Sequence, residues 1–197
     1  MTTQYTELQL DALRELANIG SGTASTALST MLGRSVDISV PTARALPFAD
    51  AVEAAGPAEE EITGIVLGIT GDMTGTVLLL VPPADADAMC RLLGVEPDDE
   101  YARSALGEIG NIVGTSYINA LAAMTGMEIE PTPPATATDM LGAIVETVLA
   151  GHAMANDTAL MLDSNLVVEG DDCSIAFLLV PDNGGVEMLL GRLGLSS

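Results

Sequence analysis

The 197-residue sequence predicts an α+β fold: two pseudo-symmetric α-β-α-β-β-α repeats sharing one mainly antiparallel sheet, with two long helices on the surface. Two observations predict it. Apolar residues switch between helical and alternating spacing in the same order twice along the chain. The halves also share residues at an offset of 93: Ala12/Ala105, Leu13/Leu106, Glu15/Glu108, Asn18/Asn111, Ile19/Ile112, Ala27/Ala120, Leu28/Leu121, Met31/Met124, Gly33/Gly126 and Pro41/Pro134. Further on the offset drifts to 99, where Leu79-Leu80-Val81-Pro82 meets Leu178-Leu179-Val180-Pro181. A half of this size rarely buries enough apolar surface to fold alone. Residues 1–197 are therefore expected to form a single domain of two repeats, approximately 1–94 and 98–197.

Each element follows from local chemistry. Leu10, Leu13, Ala17, Gly20, Ala24, Leu28 and Met31 recur at helical spacing and predict a helix over the first 33 residues. Thr6 and Gln9 suit a capping box at its start, and Gly33 a left-handed stop. Val36–Val40 alternates as a short strand closed by Pro41, and residues 42–60 hold a short helix. Ile62–Ile69 and Thr74–Val81 form a hairpin about Gly71-Asp72. Ala84–Leu93 is a short helix. The second half repeats the order: a helix over 99–125 stopped by Gly126, a strand at Glu128–Glu130, and a Pro-rich stretch. A helix over Met140–Met154 follows, then a hairpin of Leu160–Val168 and Ser174–Val180, then a helix over Val186–Leu193.

Composition narrows the function. Asp and Glu number 28 against six basic residues, all Arg, for a net charge of -22. Such a surface repels phosphate backbones and anionic headgroups, so neither nucleic acid nor membrane is expected as partner. Hydrophobic residues reach 48% but aromatics only 3%, so the core is aliphatic. Cys90 and Cys173 make no disulfide framework or metal knuckle. The N-terminus lacks a basic-then-apolar leader and no run of 18 apolar residues occurs, so a soluble, cytoplasmic protein is expected.

On a helical wheel at about 100° per residue, Asp11, Glu15 and Asn18 cluster within roughly 60°, away from the buried face, and Gly22 joins them. Ser104, Glu108, Asn111 and Thr115 do the same on the second helix. A polar stripe is ordinarily a solvated face. Here the same carboxylate and carboxamide recur at matched places while most other exposed positions differ. An outward pair on a convex helix has no pocket of its own, and so suits a protein that brings the rest of the site.

The spacing Asp/Ser, three residues, Glu, two residues, Asn, twenty-two residues, Pro is met by Asp11, Glu15, Asn18 and Pro41, and again by Ser104, Glu108, Asn111 and Pro134. In this it resembles the CheC family of chemotaxis phosphatases, with the related CheX and FliY proteins. The resemblance extends to ANIGSGTASTALSTMLG and GNIVGTSYINALAAMTG and covers essentially the whole chain. It implies hydrolysis of the phospho-aspartate on the response regulator CheY. Asn18 and Asn111 would orient the attacking water, and Glu15 and Glu108 would pair with the regulator's Lys. Asp11, Gly22, Ser104 and Thr115 would support docking, and Pro41 and Pro134 would end their strands. It implies no cofactor or metal in this chain, since the Mg²⁺ would belong to the regulator. The receptor deamidase CheD is a further partner in the family. The alternative is a non-catalytic adaptor for CheD or the flagellar switch, although the added modules of a FliY-like protein are not expected here.

Other signals are weaker. Gly20-Ser21-Gly22-Thr23 has no preceding strand and no Lys, so it is no phosphate loop. Asp85 and Asp87 suit a helix N-terminus. Asp171-Asp172 is expected in a turn, and the nearby Asp163-Ser164-Asn165 lacks a calcium loop's Gly and terminal Glu. The lone His152 excludes a His-based triad or His-rich metal site. The Asn156-Asp157-Thr158 sequon is read as chance.

The acid-rich, Lys-free surface predicts adaptation to a salty cytoplasm, because counterions screen self-repulsion. Thermal unfolding followed across a salt series should show a midpoint that rises with salt, with reversible unfolding on dilution. A midpoint indifferent to salt would refute the adaptation.

Overall fold

Thr6 and Gln9 close the capping box that the sequence suggests. Gln9 N donates to Thr6 Oγ1 at 3.3 Å, and Thr6 N donates to Gln9 Oε1 at 2.8 Å. The helix so started, α1, runs Glu7–Leu32 in the computed structural model, which describes residues 6–151, 158–168, 171–182 and 184–195. The remaining elements of the first repeat are β1 (Val36–Pro47), α2 (Phe48–Ala55), β2 (Glu61–Gly71), β3 (Gly75–Val81) and α3 (Pro83–Leu92). The second has α4 (Ala102–Thr125), β4 (Ile129–Pro131), β5 (Ala135–Met140), α5 (Leu141–Gly151), β6 (Thr158–Val168), β7 (Asp171–Pro181) and α6 (Gly185–Arg192). Both long helices end on a left-handed glycine, Gly33 at φ +64° and Gly126 at φ +67°. A side chain there would be strained, so these residues set matched stops.

The seven strands form one antiparallel sheet, ordered β1-β6-β7-β3-β2-β4, with β5 also on β2. The two hairpins meet at the centre, where Leu78 faces Leu178. Outside them the repeats exchange strands. β1 of the first repeat pairs with β6 of the second, and β4 and β5 of the second pair with β2 of the first. The exchange keeps the same register on both sides. Val36 faces Val168, and its equivalent Ile129 faces Gly71; Pro47 faces Thr158, and its equivalent Met140 faces Glu61.

The structure corrects the expectations about the signature prolines. β1 does not end at Pro41 but continues to Pro47. Its pairing with β6 slips between Ser39 and Thr42, which leaves Val40 and Pro41 opposite Ser164 alone. Proline has no N–H to give a ladder, so a bulge on an edge strand accommodates it. In the second repeat Pro134 does separate two strands, but β5 follows it, where only a Pro-rich connection was expected. Both missed segments, PTARALP and ATATDM, are poor in β-branched and aromatic residues other than Thr, and each is held by pairing on one side only. The helix expected over Met140–Met154 is α5, and its last expected residues, with His152 and Asn156, lie outside the described residues.

Helices cover both faces of the sheet, so β3 is buried along its whole length. On one face α1 and α4 set Leu13, Leu16, Val113 and Tyr117 in one core with Ile65, Leu67, Leu79 and Phe177. On the other, Phe48 of α2 and Leu141 and Ile144 of α5 share a core with Leu78, Leu80 and Leu178. The long helices touch at Gly20. A Cβ there would stand 2.6 Å from Tyr117 Cδ1 and 3.1 Å from its Cα. Tyr117 is fixed in turn by Phe177, with ring centroids 4.4 Å apart, so it has little room to retreat.

Gly20 and Gly22 therefore respond in opposite senses to alanine. Gly20→Ala should destabilise the protein by about 1–3 kcal/mol through overpacking. Gly22→Ala, where a Cβ meets nothing within 4 Å, should stabilise by about 0.5–1 kcal/mol through helix propensity. Denaturant unfolding of the two variants checks both signs.

Candidate functional site

Both signature stripes lie on the outer surfaces of the long helices. On α1, Leu13, Leu16, Ala17, Gly20, Ser21 and Ala24 turn inward and are buried. The positions between them, Asp11, Glu15, Asn18 and Gly22, are left exposed. On α4 the inward face is broader, from Leu106 and Gly110 to Val113 and Tyr117. Ser104 and Glu108 are exposed there, while Asn111 and Thr115 are half-buried. The fold thus gathers each predicted quartet on its own helix. Among the described residues no hydrogen bond or ion pair joins one stripe to the other.

Within the first stripe, Asp11 Oδ1 accepts from Arg14 Nη1 at 2.6 Å. Both side chains are at least half exposed, so the pair contributes little to stability and leaves the carboxylate available. Glu15 and Glu108 have no cationic partner among the described residues. Within the second stripe, Thr115 Oγ1 donates to Asn111 Oδ1 at 3.4 Å. Among the described residues, neither the Glu nor the Asn of either stripe lines one of the main clefts. A cleft of about 440 Å³ opens beside the start of α4, with Ser104 on its rim and Asp87, Cys90, Asp99 and Arg103 on its walls. Burial pushes the Cys90 thiol up from its ordinary range, with Asp87 adding to the shift and Arg91 opposing it, so it is a poor nucleophile. Among the described residues no cluster of His, Cys, Asp or Glu is placed to hold a metal ion. No described helix is long and apolar enough to cross a membrane.

Two apolar residues also extend the stripes. Leu8 and Tyr101, 93 residues apart, are 65% and 64% exposed. Each stands one turn before the first polar residue of its stripe and extends the same face. The available signal was an apolar residue at matched places on an otherwise polar stripe. The Gly20-Ser21-Gly22-Thr23 segment lies inside α1, as its lack of a preceding strand implied.

Chemically, each stripe offers a glutamate carboxylate and a carboxamide, to which the first adds the Asp11 carboxylate. A carboxamide both donates and accepts, so it can orient water beside an anionic group. A carboxylate can pair with a partner's cation. The arrangement suits insertion into a cleft that belongs to another macromolecule.

The sequence model of the CheC-like family matches residues 8–43 and 102–137, the two long helices with the start of the strand segment after each. The CheY-P phosphatase CheC of Bacillus subtilis (strain 168) is 32% identical over 96% of this chain and 96% of its own. The flagellar motor switch phosphatase FliY of the same organism is 30% identical over 65% of this chain but only 35% of its own. In three dimensions the crystal structure of Thermotoga maritima FliY superposes with a TM-score of 0.78 at 20% identity, covering 99% of this chain and all of that one.

Proposed function

The chain belongs to the CheC-like family, and from that premise we propose that it is a phosphatase acting on the phospho-aspartate of a CheY-type chemotaxis response regulator. The observation that carries the proposal is the pair of outward Glu/Asn stripes in a chain similar along its length to a CheY-P phosphatase.

In the proposed reaction a water oxygen attacks phosphorus in line with the acyl P–O bond. That bond breaks, its electron pair returns to the aspartate carboxylate, and the water's protons leave with inorganic phosphate or to solvent. The regulator supplies the phosphate cradle and its Mg²⁺; this chain supplies position. Asn18 or Asn111 orients the water through its carboxamide. Glu15 or Glu108 pairs with the regulator's active-site Lys and sets the depth of insertion. Gly22 and Thr115 are small enough for close approach, Asp11 and Ser104 contact the rim of the cleft, and Leu8 and Tyr101 add apolar contact at the helix start. A cytoplasmic setting is part of the proposal.

The second reading, a docking module for the flagellar switch, is favoured by the likeness to FliY, named a motor switch phosphatase. CheD enters as a further partner on family resemblance alone. The two readings differ in whether the carboxamides matter.

Phosphate release from phosphorylated regulator distinguishes them. Asn18→Ala and Asn111→Ala together should slow turnover roughly a hundredfold. Unfolding stability should stay within about 0.5 kcal/mol, because neither side chain belongs to the core. Glu15→Gln with Glu108→Gln should instead raise KM more than it lowers kcat, since a docking contact acts on bound substrate and transition state alike. An unchanged rate in the double Asn variant would refute the phosphatase and leave the docking module.

A further inference from the structure

The two carboxamides sit in unequal surroundings. Asn111 is half-buried and its Oδ1 accepts from Thr115 Oγ1. Asn18 is exposed, and among the described residues its carboxamide has no hydrogen-bond partner. At the place matching Thr115 the first helix has Gly22, where no side chain exists to hold it.

The Thr115 bond is unusual for this molecule. Threonine in a helix commonly donates to the backbone carbonyl four residues before. Thr23, Thr26, Thr30, Thr125 and Thr147 all do so here, to Ile19, Gly22, Thr26, Leu121 and Ala143. Thr115 instead turns its hydroxyl to the side chain four residues before. A carboxamide has an acceptor end and a donor end of nearly equal shape, so a half-turn about its last torsion exchanges them. A hydroxyl proton on Oδ1 selects one of the two senses and leaves both Nδ2 protons for a ligand. Asn18 has to find that sense during docking and loses its rotamer freedom then.

We propose that Thr115 is a positioning residue for Asn111, and that the second stripe is the pre-oriented and faster site while the first is the adaptable and slower one. The inference rests on the phosphatase reading and deepens it. Thr115 acts through Asn111 and touches neither water nor phosphate.

The test isolates each site in the full chain. In an Asn18→Ala background only the second site turns over. There Thr115→Val, which keeps shape and removes the hydroxyl, should lower kcat roughly fivefold with little change in KM, the scale of one neutral hydrogen bond. Thr115→Ser should restore most of the rate. In an Asn111→Ala background, Gly22→Thr should be faster than Gly22→Ala, because only threonine brings the hydroxyl. A valine variant with the parent kcat overturns the proposal, as does a serine variant as slow as valine. Should Asn111→Ala leave the rate of the Asn18→Ala protein untouched, the phosphatase reading itself falls. Loss with Asn111→Ala but not with Thr115→Val removes only the positioning role.

Discussion

The first strand segment of each repeat hydrogen-bonds to the hairpin of the other, with Val36 opposite Val168 and Ile129 opposite Gly71. Neither repeat can complete its own sheet. Each long helix runs directly into an exchanged strand, so the exchange also sets where the helices lie. α1 and α4 are brought to the same face, side by side over the central hairpins. Antiparallel pairing in matched register carries the pseudo-symmetry from the sequence into the sheet.

That placement divides the surface of each helix. One side meets the sheet, one meets the other helix, and what remains faces outward. Contact at Gly20 and Tyr117 brings the helices close, and the Tyr117 ring stacks near Phe177 below. The polar stripes take the remaining side because burying an unpaired carboxylate or carboxamide would cost several kcal/mol. The paired helices thus present these polar side chains from regular secondary structure rather than from loops.

The repeats are alike in backbone plan and unlike in detail. β1 is one bulged strand, whereas its counterpart is broken at Pro134 into β4 and β5. The inward face of α4 is broader than that of α1, which draws Asn111 partly under cover and leaves Asn18 in solvent. Duplicated sequence thus yields two candidate sites with the same groups in different microenvironments. Such divergence lets one copy change while the other keeps the shared geometry.

By itself the sequence determined the order of elements apart from β5, the capping box at Thr6, the stops at Gly33 and Gly126, and the outward placement of Glu15, Asn18 and Glu108. These depend on local rules: helical period, cap chemistry and the backbone freedom of glycine. The tertiary structure alone decided that the repeats exchange strands, that Pro41 sits in a bulge rather than at a strand's end, and that PTARALP and ATATDM pair at all. Hydrogen bonds to a neighbouring strand outweigh weak local propensity there, and no local pattern encodes which neighbour will come. It also decided the difference between the two carboxamides. A helical wheel places Thr115 beside Asn111, but which partner its hydroxyl chooses depends on the side-chain packing around it.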